Sequence, residues 1–487
     1  MEQQRPYDLL AVSDLHLGCD LRGGTPRGGD PRRDLLDRAL CRFLDHHALR
    51  REGGRRWRLL LVGDVFDFVA VTQTPAPGLT APFEVAEEER SFGLASEEAK
   101  CAWKVTKVAA RHEEVFHALA RFLVAGHELH FIRGNHDAEL HWPAVQAELR
   151  RLVCKRTGLE GDGLQAVAER IVFHAWFYLE PGFLYAEHGN AHDRYCLQSG
   201  FFDELPGAPE LELPMSSKAV RYFVNRWAKA QEELDNADKM SITEFLRWTA
   251  KMGNPLLITL DFVLMLYRVI QPVALQSLRL SKMAARLARR TVGRLEPEAR
   301  EQQRLGNVER WLARYADDSG EQARQLFALA SRPAEQSLFD AVQLFFLDRM
   351  LLALVCLGAL VWGVASAPGL QKLPWVAGAC FAFGVANALL GRLRHTDAHP
   401  LLFTAARRVA QVFGVRYVVM GHSHRRVDEA VGPGQHYLNL GSWEPIDGRL
   451  PYLKVVGRTA ELGWFEARSQ GRVPSAAPAG EPGYVAA

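Results

Sequence analysis

The chain has almost no net charge: 59 lysines and arginines against 57 aspartates and glutamates leave +2 over 487 residues. A uniformly basic nucleic-acid binder is therefore disfavoured, and any electrostatic partner must be met by a local patch. Cysteines are few and scattered. The seven (Cys19, Cys41, Cys101, Cys154, Cys196, Cys356 and Cys380) never form a CxxC pair, so neither a disulfide framework nor a zinc knuckle is expected, and a reducing compartment fits best. The opening MEQQRPYDLLAV lacks a basic stretch followed by an apolar run, so no secretory signal is expected. No internal repeat stands out. Hydrophobic residues at 48% and charged residues at 24% are near the globular average, which excludes wholesale disorder and a polytopic carrier. The length suits about three domains, or one domain enlarged by a long insertion.

Short apolar runs alternate with amphipathic stretches over the first two hundred residues, the rhythm of strands exchanging with helices in an α/β fold. Five runs end in polar clusters: YDLLAV in SDLHLG, WRLLLV in GDVFDF, ELHFI in RGNHD, FLYA in EHGNAHD and RYVVM in GHSHRR. Strand ends of this kind aim side chains into a shared crevice, so five of them predict one site. Two loops, Gly18 to Arg33 and Thr72 to Glu98, would fringe it. From Asp203 to about Pro400 the pattern turns helical, which makes the α/β core discontinuous: residues 1–202 and 401–468 around a helical insertion at 203–400. Strands are expected again at QHYLNLGSW, YLKVV and TAELGWFE, and the Ala-, Pro- and Gly-rich tail 469–487 is expected to be disordered.

Each cluster alone also fits a turn or a helix cap. Together they supply what a pair of divalent cations needs. Asp14 and His16 alternate on one loop. Asp64 follows a strand and a glycine, where its carboxylate can bridge two ions. Asn135 offers an amide oxygen and His136 an imidazole for proton transfer or charge stabilisation. His188 and the pair His422 and His424 add three imidazoles that can reach one cavity. Oxygen and nitrogen donors without cysteine fit Mn²⁺ best and leave Fe or Zn open. Asp137 and Asp67 are candidates to orient His136.

These blocks resemble the calcineurin-like metallophosphoesterase superfamily, whose pattern is DxH, GDxxD, GNH[DE], a lone His and GHxH. The resemblance covers about residues 7–200 and 401–465. It implies a sandwich of two mixed β-sheets flanked by helices and a dinuclear metal-dependent hydrolysis of phosphodiesters or pyrophosphates. By that resemblance, Asp14, His16, Asp64 and His424 bind one metal, Asp64, Asn135, His188 and His422 bind the other, and His136 with Asp137 serves catalysis. The spelling is most similar to the UDP-2,3-diacylglucosamine diphosphatase group, in which Asp193 matches an acidic position after the lone His and is a candidate substrate contact. That group usually reads GNRD where this chain has His136, and it lacks so long an insertion. Protein Ser/Thr phosphatases are disfavoured, because GDVFDFV and GNHDAE do not match their GDxVDRG and GNHE.

Inside the insertion, residues 350–371 and 373–391 carry no charge and flank Lys372. At ~1.5 Å per residue the first could reach about 33 Å and the second is just long enough for a ~30 Å hydrocarbon layer. A membrane hairpin over 350–391 is expected, against a buried helical pair of a soluble domain. Arg349, Arg392 and Arg394 at its outer ends would keep the catalytic core on the cytoplasmic face. Leu256 to Ile270 and the cations from Arg279 to Arg294 form a basic amphipathic stretch, either a surface-binding helix or a solvated face. The expected protein is a membrane-associated phosphoesterase acting on a nucleotide-linked lipid. The alternatives are a soluble nucleotide or nucleic-acid phosphodiesterase and a non-catalytic membrane scaffold that kept the fold.

Overall fold

The computed structural model describes residues 6–22, 31–76, 81–197, 319–330, 347–392, 397–443 and 448–466, most of 210–225, and a few residues between 264 and 310. The basic stretch Arg279 to Arg294, most of the insertion before residue 347, and the tail 469–487 lie outside the described residues.

The first half of the core runs β1 (Tyr7–Val12), α1 (Pro31–Leu49), β2 (Arg56–Val62), α2 (Glu87–Phe92), α3 (Glu98–Arg111), α4 (Glu113–Val124), β3 (Glu128–Ile132), α5 (Pro143–Cys154), α6 (Gly161–Ala168), β4 (Ile171–His174), β5 (Phe177–Glu180) and β6 (Leu184–Glu187). Next come α7 (Met215–Tyr222), α8 (Ser319–Leu329), α9 (Leu347–Ser366) and α10 (Lys372–Arg392). The chain then returns through α11 (Ala398–Phe413), β7 (Tyr417–Met420), β8 (Arg426–Gly432), β9 (Gln435–Leu440), β10 (Arg449–Val456) and β11 (Thr459–Glu466).

These strands form two mixed sheets. One has the order β11-β10-β1-β2-β3-β4, with β1 to β4 parallel and β10 and β11 antiparallel, and the other the order β5-β6-β7-β9-β8, with β6, β7 and β9 parallel. Alternation along each strand builds the layers. In β1, Leu9 and Ala11 join Leu60, Val62 and Ile132 of the same sheet against Leu184, Ala186, Val419, Leu438 and Leu440 of the other. Leu10 and Val12 face the opposite way, into a cluster with Phe43 of α1, Val105 of α3, Phe122 of α4 and Leu149 of α5. On the outer face of the second sheet, Leu402, Ala406, Val409 and Phe413 of α11 and Leu326 of α8 cover Tyr185, Val418 and Tyr437. The result is two mixed sheets packed on each other and flanked by helices.

Within the insertion, α9 and α10 pack together. Trp362 and Trp375 meet edge to face at 5.4 Å, and Gly363 lies against the Trp375 ring. Their outer surfaces are apolar and exposed, with Leu351 and Leu354 at 64%, Trp362 at 62% and Phe381 at 74% of full exposure. The expected order of the two spans is reversed. α9 ends two residues before Pro368, which cannot continue a helix, and Gly369 turns the chain at φ +50°. The apolar stretch of α9 is therefore Leu351–Ser366, whereas Gly369–Leu390 is, among the described residues, the helix long and apolar enough to cross a membrane.

Candidate metal centre

All five predicted polar clusters lie at the C-terminal ends of parallel strands: β1, β2 and β3 of one sheet, β6 and β7 of the other. Backbone hydrogen bonds tie the loops to one another. The amides of Asp14 and His16 donate to the carbonyls of Gly63 and Asp64, that of Gly421 to His188, and that of Trp443 to Asp14. The candidate residues, from distant parts of the chain, are thereby brought to one place.

The backbone there is unusual. Among the described residues, the non-glycine residues with positive φ are Asp14 (55°), His16 (48°), Asp64 (50°), His422 (66°) and His424 (56°). All five are expected ligands. This region costs an L-residue of order 1–3 kcal/mol and persists where the surroundings over-determine it, which is a mark of functional sites. Glycine is demanded at two neighbouring points. Gly63 has φ +75°, and a Cβ there would overlap the His188 ring; a Cβ on Gly134 would overlap the Asp64 carboxylate.

The side chains converge in overlapping groups. Asp14, His16 and His424 form one, Asp64, His188 and His422 a second, and His16, Asp64 and His136 a third, with ligand atoms in each within 4.8 Å of one another. Asp14 Oδ2 accepts from the Ser13 hydroxyl at 2.5 Å and from the His422 amide at 3.2 Å. Its Oδ1 is left 3.2 Å from His424 Nε2 and 3.9 Å from His16 Nε2. Asp64 Oδ1 accepts from the His136 amide at 2.8 Å, and Oδ2 is 3.1 Å from His188 Nε2. His188 Nδ1 donates to the Val62 carbonyl at 3.0 Å, so Nε2 is the nitrogen turned to the site. Asn135 Oδ1 is buried with no hydrogen-bond partner, and Asp14 Oδ1 and His188 Nε2 are buried beside ionic neighbours without a hydrogen bond of their own. Buried oxygens and imidazole nitrogens left this way, from donors with no sulfur, fit hard or borderline divalent cations.

The electrostatics agree with that fit. Burial opposes ionisation of Asp14 and Asp64, yet His188 above all, with His424 beside Asp14 and His136 beside Asp64, holds both carboxyls below their ordinary range. Burial would push His188 down, but Asp64 and Asp14 raise it to about 9. Two buried carboxylates thus draw positive charge into the cluster, and without a metal a histidine proton supplies it.

Two expected roles change. Asp137 does not face His136: its carboxylate accepts from the amides of Gly134 (2.7 Å), Val65 (2.8 Å) and Phe66 (3.4 Å), fastening the β3 loop to the β2 loop. The residue beside His136 is Asp67, whose Oδ1 lies 3.2 Å from His136 Nδ1. Asp67 is held well below the carboxylate range, burial notwithstanding, by His136 and Arg22. Asp193, the candidate substrate contact, instead places Oδ2 3.0 Å from His422 Nε2 and also accepts from the Tyr195 amide at 2.9 Å. It orients the imidazole of His422. Ser13 and Arg22 went unforeseen. Ser13 adjoins Asp14 in sequence, but Arg22 meets Asp67 only through the fold.

No protein-family model matches the chain, and comparison with curated proteins returns no match.

Proposed function

We propose that the chain is a dinuclear metal-dependent hydrolase of phosphodiesters or pyrophosphates, with the fold and ligand arrangement of the calcineurin-like metallophosphoesterases. The observation that carries this reading is the coincidence of backbone and chemistry: the five left-handed non-glycine residues among those described are five of the seven expected ligands. In this reading Asp14, His16, Asp64 and His424 hold one cation, and Asp64, Asn135, His188 and His422 hold the second, with Asp64 shared. Two divalent cations, when bound there, would supply a water of lowered pKa and offset charge on the phosphoryl oxygens. Mn²⁺ is the proposed occupant of this sulfur-free set.

The chain's own residues do the rest. Asp193 fixes the His422 ring by its Nε2, leaving Nδ1 for the site. His188 is fixed in the same way by the Val62 carbonyl. Asp67 faces His136 Nδ1, so Nε2 is the atom from which a proton can pass to the leaving oxygen. Asp137 and the glycines keep the loops close enough for these groups to meet.

The proposed substrate is lipid-linked and met at the cytoplasmic face of a membrane. The exposed apolar pair α9 and α10, with Gly369–Leu390 long enough to cross, supports this. The motif spelling favours a nucleotide-linked lipid. Full-length protein loaded with Mn²⁺ should be assayed against UDP-linked lipids, cyclic nucleotides and bis(p-nitrophenyl) phosphate. We expect turnover of the diester and faster turnover of a lipid-linked pyrophosphate presented in vesicles. Absence of turnover with every ester, at full metal content, would leave the scaffold as the better account.

A further inference from the structure

Beyond His136 the polar contacts continue for two more residues. His136 Nδ1 is 3.2 Å from Asp67 Oδ1, and Asp67 Oδ2 is 3.4 Å from Arg22 Nη2. Both outer members are sealed from solvent, with side-chain exposures of 3% for Asp67 and 1% for Arg22. A guanidinium carries five N–H donors. In Arg22, Nη2 bonds Asp67, whereas Nε and Nη1 are buried without a partner. A buried cation with so few bonds is poorly compensated, and an apolar side chain of similar size would serve stability as well or better. What the cation does provide is a fixed charge on the outer oxygen of Asp67. Asp67 Oδ1 is set from the other side by the Ala70 amide at 3.0 Å.

The position of Arg22 is imposed by the loops of the site. The Asp67 amide donates to the Leu17 carbonyl, the Leu21 amide to Gly18, and the Thr72 amide to Leu21. His112 Nε2 accepts from the Gly18 amide at 2.9 Å, and Arg111 pairs with Asp20 at 2.7 Å. The turn that leads to Arg22 is therefore tied to the β2 loop and to the end of α3.

We propose that Arg22 is a positioning residue: by holding Asp67 Oδ2 it sets the direction of Asp67 Oδ1 and, through it, of the His136 ring that protonates the leaving oxygen. This rests on the phosphoester reading. Its consequence is selective. A leaving group that departs as a stable anion needs no proton and little positioning, whereas a poor one needs both.

The test compares two methyl aryl phosphodiesters, one with a p-nitrophenol and one with a phenol leaving group, using full-length Mn²⁺-loaded protein. Arg22→Met should lower kcat by less than ~3-fold for p-nitrophenol and by roughly 10- to 100-fold for phenol, with KM and metal content unchanged. His136→Asn should show the same selectivity more strongly, and the double variant should be no slower than His136→Asn alone, because the two act through one group. An equal loss with both leaving groups, a rise in KM with kcat kept, or additive losses in the double variant would each overturn the inference. Should Arg22→Met fold poorly or lose metal, Arg22→Lys, which keeps the charge and loses the planar fork, replaces it in the same cycle. The ¹⁵N shifts of the His136 ring, recorded by NMR, give a readout free of turnover. They should move in Arg22→Met, and unchanged shifts would refute the link. If wild type hydrolyses neither ester, the phosphoester reading falls, while the ring shifts still decide whether Arg22 governs His136.

Discussion

The carboxylate of Asp193 and the imidazole of His422 meet at 3.0 Å across 229 residues of sequence. A histidine held by one nitrogen presents the other, so this contact turns Nδ1 of His422 to the cluster that could hold a cation. Partners of this kind typically contribute 10- to 100-fold to metal affinity. We expect Asp193→Ala to weaken binding of the second Mn²⁺ by ~10- to 100-fold in calorimetric titration, with KM unchanged once metal is saturating. A KM effect at saturating metal would return Asp193 to the substrate.

Asp137 and His136 are neighbours with opposite roles. Asp137→Ala strips the acceptor from the buried amides of Gly134 and Val65, at about 1–3 kcal/mol for each group left unpaired, and should lower the melting temperature markedly. His136→Asn should melt like wild type and keep its metal while kcat falls by ~10²–10⁴. Thermal denaturation with metal analysis separates them, and the opposite pattern would exchange their roles.

The residues of the cluster were legible in the sequence because each sits one to four residues past a buried parallel strand, where Gly, Asp, His and Asn interrupt an apolar run. Contacts made across the fold were not legible. Nothing in LRGG marks Arg22, since its partner Asp67 is 45 residues away, and Asp137 reads like a catalytic neighbour of His136 until Val65 is seen to occupy it. Three strands escaped for simpler reasons. β4 and β5 have four residues each and, unlike the equally short β6 and β7, lead into no cluster of Gly, His and Asn, and β8 is an exposed edge strand, RVDEAVG, whose charges obscure the alternation. The limit of α9 was legible in Pro368, though a count of uncharged residues overrode it.

Stability should fall as the medium is acidified, and His47 gives a handle on why. It is buried in α1 against Phe43 and Trp57, and burial, with His46 and Lys454 nearby, lowers it from 6.5 to about 3. Between those values the unfolded chain binds the proton and the native chain does not, so stability drops with falling pH by at most ~1.4 kcal/mol per unit from this residue. His47→Phe removes that contribution. Melting temperatures from pH 7 to pH 5 should decline less steeply in the variant, and parallel curves would show that His47 titrates normally.

The exposed hairpin makes a separate prediction. If α9 and α10 insert in a bilayer, they are held independently of ionic strength, and the protein should then stay in the membrane pellet through high salt and alkaline carbonate. Deletion of 350–391 should release it or make its binding salt-sensitive while leaving hydrolysis of bis(p-nitrophenyl) phosphate intact. Intact protein recovered monodisperse without detergent would show that α9 and α10 are covered by protein instead.

The most direct measurement of the central claim is bound metal in wild type and Asp64→Asn, by elemental analysis after loading with Mn²⁺ and gel filtration, alongside hydrolysis of bis(p-nitrophenyl) phosphate. Asp64 lies between the two clusters, with Oδ2 3.1 Å from His188 and its ligand atoms grouped with both His16 and His422. Losing its charge should weaken both positions together. The account predicts two equivalents and turnover in wild type, and a loss of both equivalents with at least ~10³-fold slower turnover in the variant. Two equivalents retained in Asp64→Asn with near-normal hydrolysis would contradict it.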